Sequence, residues 1–235
     1  MTRLVVVGAG GFGREVFNWV QRSNLSASSR ETVFIDDSEE ALSAFPQLAA
    51  QLISRIVDFT PLTDDHLIMA IAEPDMKREI SAALQQRGGA FASLVHDSAV
   101  VSADAQVSTG SVICPGAVVC SNALLGPFVT LNVAASVGHD ARVGEFASLM
   151  GHVDVTGGAV VGEGAWISSH ASVLPGRVVG DGARVGAGSV VTADVEASQS
   201  VFGVPARAIP LIPQADGKAR KSPAAPTASL GGTRP

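Results

Sequence analysis

This chain of 235 residues has little that would staple, charge or stack it together. It contains two cysteines, two tryptophans, no tyrosine and only 5% aromatic residues. Cys114 and Cys120 are six residues apart, at equivalent places in the repeat described below. They should fall on successive sides of the structure, which suits neither a disulfide nor a metal pair. Both are expected to be packing residues. Charged residues make up 16% of the chain, the net charge is −6 and no basic run occurs, which argues against nucleic acid as a partner. No apolar run approaches the ~20 residues that span a bilayer. The opening MTRLVVVGAG enters a strand-like stretch without a signal peptide's length or cleavage pattern. The expectation is a cytoplasmic protein with no membrane partner.

With 46% hydrophobic residues and so few rings, the core must be built from small aliphatic side chains. Their order confirms it. From Val95 to Val191 an aliphatic residue recurs at every sixth position, 17 times without a slip. Four residues after each hit stands a small one: 13 are Ala or Ser, three are Val, and only Arg177 is bulky. Six-residue self-similarity predicts a parallel β-helix. Three hexads close one triangular coil, with the aliphatic residue pointing inward from each side. Coils stacked about 4.8 Å apart bury continuous Val, Ile and Leu ladders, each held mainly by its neighbours. The regular register leaves no room for an internal loop insertion.

Residues 1–92 read as a small Rossmann-like α/β domain, residues 93–210 as the solenoid, and residues 211–235, rich in Pro, Ala, Ser and Gly, as a tail without fixed structure. Leu4 to Val7 suits a buried parallel strand, followed by Gly8-Ala9-Gly10-Gly11-Phe12-Gly13 and a helix over Arg14 to Gln21. Further strands are expected at Thr32–Ile35 and Leu67–Ala72, and helices at about Glu39–Leu52 and at Asp75–Gln86. The glycine turn fits G-x-G-x-x-G between strand and helix, where backbone N–H groups can approach a phosphate. Asp36 and Asp37 close the second strand about 24 residues on, the place of a ribose-binding carboxylate. So short a domain suits a nucleotide-linked sugar better than NAD. A structural glycine turn with solvated acids at the strand end is the plainer alternative.

His139 should project outward from the prism. A lone exposed histidine is usually inert, but Asp140 beside it could orient the imidazole for work as a general base. His152 and His170 are 18 residues apart and should stack on adjacent coils. No three-histidine zinc spacing is present, and no metal is expected.

The hexad array, together with GAGGFG, FIDD, AIAEPDMKREI, SVGHDARVGEF and the terminal FGVPAR, resembles one family over nearly everything but the tail. It is the NeuD-like sialic acid O-acetyltransferase group of left-handed β-helix (hexapeptide repeat) acyltransferases, which includes the PglD- and PerB-like nucleotide-amino-sugar N-acetyltransferases. Left-handedness is implied by this resemblance. So is the chemistry: acetyl-CoA as cosubstrate, a nucleotide-activated amino sugar as acceptor, acetylated at its C4 amino group, and a homotrimer with grooves between solenoids. The resemblance places His139 as catalytic base and Asp140 as its acidic support. It places Ser148, Gly157, Ser169 and Ala187 along the cofactor, and Gly10, Gly11, Phe12, Asp36, Asp37 and Ala72 around the sugar nucleotide. Three positions depart from the family pattern. Phe12 stands where histidine is frequent, Ser148 where some members carry histidine, and Ala72 replaces a customary glycine. Two other functions stay open: O-acetylation of a free sugar, and a non-catalytic trimeric module that binds a nucleotide sugar.

Overall fold

A two-residue strand ends on every aliphatic hit from Val95 to Val191, and these strands stack into three parallel sheets. The computed structural model describes residues 2–210. The expectation for the tail lies outside them. The first face runs from Leu94–Val95 to Arg184–Val185, the second from Val100–Val101 to Val190–Val191, and the third from Gln106–Val107 to Val178–Val179. Register is constant at one coil: Leu131 pairs Leu149, Val137 pairs Val155 and Val143 pairs Val161. The inward ladders, with Ala135, Ala141, Ala147 and Ala165 beside them, form one continuous core. Arg177, the bulky exception, is half-buried and pairs with Asp194. An antiparallel hairpin, Ser200–Phe202 with Arg207–Ile209, finishes the first face.

From Gly110 to Gly188 each corner turns through a residue with positive φ. Where that residue is not glycine it is often of the kind that tolerates the left-handed region: Asn122, Asp140, His152 and His170, with φ near 60°. The corner chemistry thus puts polar side chains on the outside of the prism.

In the N-terminal half, β1 (Thr2–Val7), β2 (Ser29–Ile35), β3 (Leu52–Ser54), β4 (Asp65–Met69) and β5 (Ala90–Phe91) form a parallel sheet in the order β3-β2-β1-β4-β5. Helix α1 (Gly11–Trp19) follows β1, α2 (Pro46–Ala49) is a single turn and α3 (Pro74–Gln86) follows β4. The expected helix over Glu39–Leu52 is not there. Turns occupy residues 39–44, and only Pro46–Ala49 is helical before β3 begins. Proline at 46 supplies no N–H to a preceding turn and forces Phe45 out of helical geometry, to φ −130° and ψ 67°. The third expected strand is shorter than predicted and stops at Met69, because Ala70 to Glu73 leave the sheet to reach the solenoid.

The sheet domain docks on the first face. Leu4, Val6 and Phe34 share a buried cluster with Leu94, Val112 and Cys114. Burial pushes the Cys114 thiol up, which leaves it a packing residue as expected. Phe128 and Phe146 stack at the corner between third and first faces, with Phe91 edge-on to Phe128 and the Arg78 guanidinium 4.5 Å above the Phe146 ring. Arg78 also pairs with Glu163, and Arg184 with Glu73 at 2.6 Å. No helix among the described residues is long and apolar enough to cross a membrane.

Candidate active site

At the carboxyl ends of β1, β2 and β4 the sheet opens into a cleft of about 310 Å³. Here the strand order reverses beside β1, the place where open α/β sheets bind ligands. The cleft is lined by Gly8, Gly10, Gly11, Phe12, Asp36 and Asp37 on one side and by Ile56, Ala70, Ile71, Met76 and Ile80 on the other. The glycines divide the work. Gly8 has φ 103°, and a side chain on Gly13 would run into the Gly8 carbonyl. Gly10 and Gly11 face open space, with nothing within 4 Å of where a Cβ would stand. The helix start is thereby bare to an incoming phosphate. The Arg14 guanidinium stacks 3.9 Å over the Phe45 ring, and its Nη1 is 3.5 Å from the Ala9 carbonyl, which puts a positive charge beside the turn.

The two aspartates are tied to the backbone. Asp36 accepts from the N–H of Ala9 at 2.7 Å and of Ser38 at 2.8 Å, while Asp37 accepts from Val57 at 3.0 Å. Both carboxylates keep lone pairs for a ligand and brace the loops that shape the cleft.

The second constellation lies at the corner between second and third faces. His139 Nδ1 is 2.8 Å from Asp140 Oδ2, and both side chains are mainly exposed, at 72% and 59%. With Nδ1–H donating to Asp140, the lone pair is left on Nε2. The hydrogen bond to His139 holds the Asp140 carboxyl below its ordinary range, helped by Asn122 Nδ2 at 3.3 Å. Nε2 faces Gly157 on the next coil. A Cβ there would sit 2.7 Å from His139 Cε1 and closer still to Nε2, so this glycine makes room for the ring.

Among the expected site residues, Gly10, Gly11, Phe12, Asp36 and Asp37 come together in the cleft, and His139, Asp140 and Gly157 at the corner. Ser169 and Ala187 lie at a different corner, between first and second faces, on the rungs of His170 and Gly188. The imidazoles of His152 and His170 stack there as the spacing predicts, 4.7 Å apart and 4° from parallel. Two of the expected residues lie at the seam between the halves. Ser148 is fully buried on the first face, where its hydroxyl donates to the Ala72 carbonyl at 2.5 Å and accepts from Lys77 Nζ at 2.9 Å. A small polar residue is needed where the two halves meet, and Ser148 joins the half-buried Ala72 there.

Sequence reasoning missed Asn122, Lys77 and Arg14. Asn122 was within reach, because the 18-residue register stacks it under Asp140. Lys77 had a signal too: it shares the buried stripe of α3 with Pro74, Ser81 and Leu84, at helical spacing.

Comparison with known proteins agrees with this two-part build. Residues 3–84 match the PglD N-terminal domain, and residues 158–193 match the bacterial transferase hexapeptide repeat. The acetyltransferase domain of PglB from Neisseria gonorrhoeae FA1090 superposes with a TM-score of 0.81 at 27% identity, covering 89% of this chain and 100% of that one. Its complex with acetyl coenzyme A gives 0.80 at 28%, covering 88% and 98%. PerB from Caulobacter crescentus, in complex with CoA and GDP-perosamine, gives 0.78 at 23%, covering 89% and 98%, a likeness of fold. No curated protein matched. In both its PglD-type α/β domain and its hexapeptide coils this chain is similar to the acetyltransferase domain of PglB.

Proposed function

We propose that the chain is an acetyl-CoA-dependent N-acetyltransferase, and that its acceptor is the 4-amino group of a nucleotide-linked deoxy sugar. The observation that carries this reading is the His139 ring, hydrogen-bonded through Nδ1 to Asp140 with Nε2 turned over Gly157. The likeness to an acetyltransferase domain whose crystals hold acetyl coenzyme A supports the cosubstrate.

In this mechanism the cleft holds the nucleotide, with its phosphates at the bare glycines and its base and ribose toward Asp36 and Asp37. The sugar nitrogen attacks the acetyl carbonyl as Nε2 takes its proton. The C–N bond forms, the C–S bond breaks, and the departing thiolate receives the proton from the imidazolium. No acyl-enzyme is required.

The placement of the parts favours a shared site. The cleft domain sits on the first face, whereas His139 stands on the corner opposite that face. Gly157 and the Ser169–Ala187 column occupy separate corners. Cleft, base and cosubstrate therefore meet between two copies, and a homotrimer provides three such grooves.

Thermal-shift screening against UDP-, GDP- and dTDP-linked amino sugars tests the reading. A ligand at 100 times its Kd stabilises the native state by about 2.7 kcal/mol, and one of the three families should raise the midpoint accordingly. Failure of all three, with free sialic acid raising it instead, would favour O-acetylation.

A further inference from the structure

Lys77 is fully buried, a location lysine almost never occupies unless its nitrogen is partnered. It is in the first half of α3, and its ammonium reaches out of the sheet domain into the solenoid. Nζ lies 2.8 Å from the Phe128 carbonyl and 3.2 Å from that of Ala147, 2.9 Å from Ser148 Oγ and 3.3 Å from Thr130 Oγ1. The acceptors come in two pairs, one on each of two successive rungs of the first face. The coil that runs between those pairs, from Leu131 to Ala147, is the one that carries His139 and Asp140.

The same helix borders the cleft. Met76, the residue before Lys77, and Ile80, one turn on, line it, as does Ile71 ahead of the turn into α3. The seam continues through Ala72, whose carbonyl takes the Ser148 hydroxyl, and Glu73, which pairs with Arg184. One short segment thus touches the acceptor's binding cleft on one side and both ends of the catalytic coil on the other.

We infer that Lys77 is a positioning residue: it pins the nucleotide cleft to the rungs that bracket the His139 coil, and so sets where the sugar amine meets an imidazole. This rests on the acetyltransfer proposed above. Hydrophobic packing of the Leu4 and Phe91 clusters can hold the halves together without it, but packing is non-directional. Four oxygens around one ammonium fix a register that apolar contact does not.

The test is Lys77→Met, which keeps most of the stem and removes the charge, beside Thr130→Val, a milder cut that removes one acceptor and serves if the first variant fails to fold. Binding of acetyl-CoA should be unchanged, because the corner loses no residue, and the nucleotide sugar should still bind, because the cleft keeps all of its lining residues. The kcat for the nucleotide sugar should fall about 100-fold in Lys77→Met, the scale expected when reacting groups are misplaced by about 1 Å, and less in Thr130→Val. Transfer to a small free amine, which does not use the cleft, should keep its rate. Crystal coordinates of the variants should show α3 displaced from Ser148. An unchanged kcat, an equal loss for both acceptors, or an α3 that stays in place would overturn the inference. The wild-type enzyme tested on the same sugars decides the acetyltransfer reading separately, and the position of α3 decides the pin whatever that result.

Discussion

Gly157→Ala isolates the geometry on which the proposed chemistry turns. Gly157 has no unusual backbone requirement, and alanine there disturbs neither the rung pairing nor the buried ladders. Its methyl group would fall 2.7 Å from His139 Cε1 and 3.0 Å from Cδ2, where ordinary contact begins near 3.4 Å. The ring must swing by about 0.7 Å at Cε1 and further at Nε2. Because the His139 side chain is 72% exposed, it can move freely, and the displacement should cost almost no stability. What it loses is the hydrogen bond to Asp140 and the aim of Nε2. A misplacement of about 1 Å predicts a fall in kcat of about 100-fold, or ~3 kcal/mol of activation free energy. The assay is CoA thiol release with a nucleotide amino sugar, beside thermal melting. A variant that melts like wild type and has lost its kcat supports the account. Wild-type kcat would refute the idea that the ring works from this position.

Two further outcomes follow from the fold. Asp65 accepts from Nε and Nη2 of Arg3, each at 2.7 Å; burial works to raise its carboxyl, but the Arg3 bonds and the Leu62 N–H outweigh it and hold the group below the usual range. Its contribution is therefore complete above the unfolded carboxylate range, near pH 4, and is lost as pH falls through the lower folded value. Urea unfolding from pH 6 to pH 2 should show this slope, and Asp65→Asn should flatten it while costing about 3 kcal/mol at neutral pH. Ile167→Ala empties a fully buried inward position between Leu149 and Val185, and should destabilise by about 2–5 kcal/mol in denaturant titration while the coil register survives.

The solenoid was legible because every hexad but the one with Arg177 obeys one steric rule, an aliphatic residue inward and a small one after the corner. That rule also put His139 outside and stacked His152 on His170. The cleft was legible for a similar reason, since Gly8, Gly13 and the acids at the strand end each answer a local backbone demand. The seam was not. Ser148 and Ala72 hydrogen-bond each other across 76 residues, and nothing in either local pattern announces that partner. Lys77 looks like one more charge on an amphipathic helix until the register of its stripe is followed. The helix expected at Glu39–Leu52 failed for a local reason: Pro46 interrupts the run of helix-forming residues.

Acetyl transfer to a nucleotide-linked 4-amino sugar, run with wild type and with His139→Ala, is the most direct test. The account predicts that the wild-type product gains one acetyl group on nitrogen. It predicts that the variant still binds acetyl-CoA but turns over at least 100-fold more slowly, the low end for loss of a general base. Full-speed transfer by His139→Ala, or no acetylation by wild type of any amino sugar that binds the cleft, would contradict it.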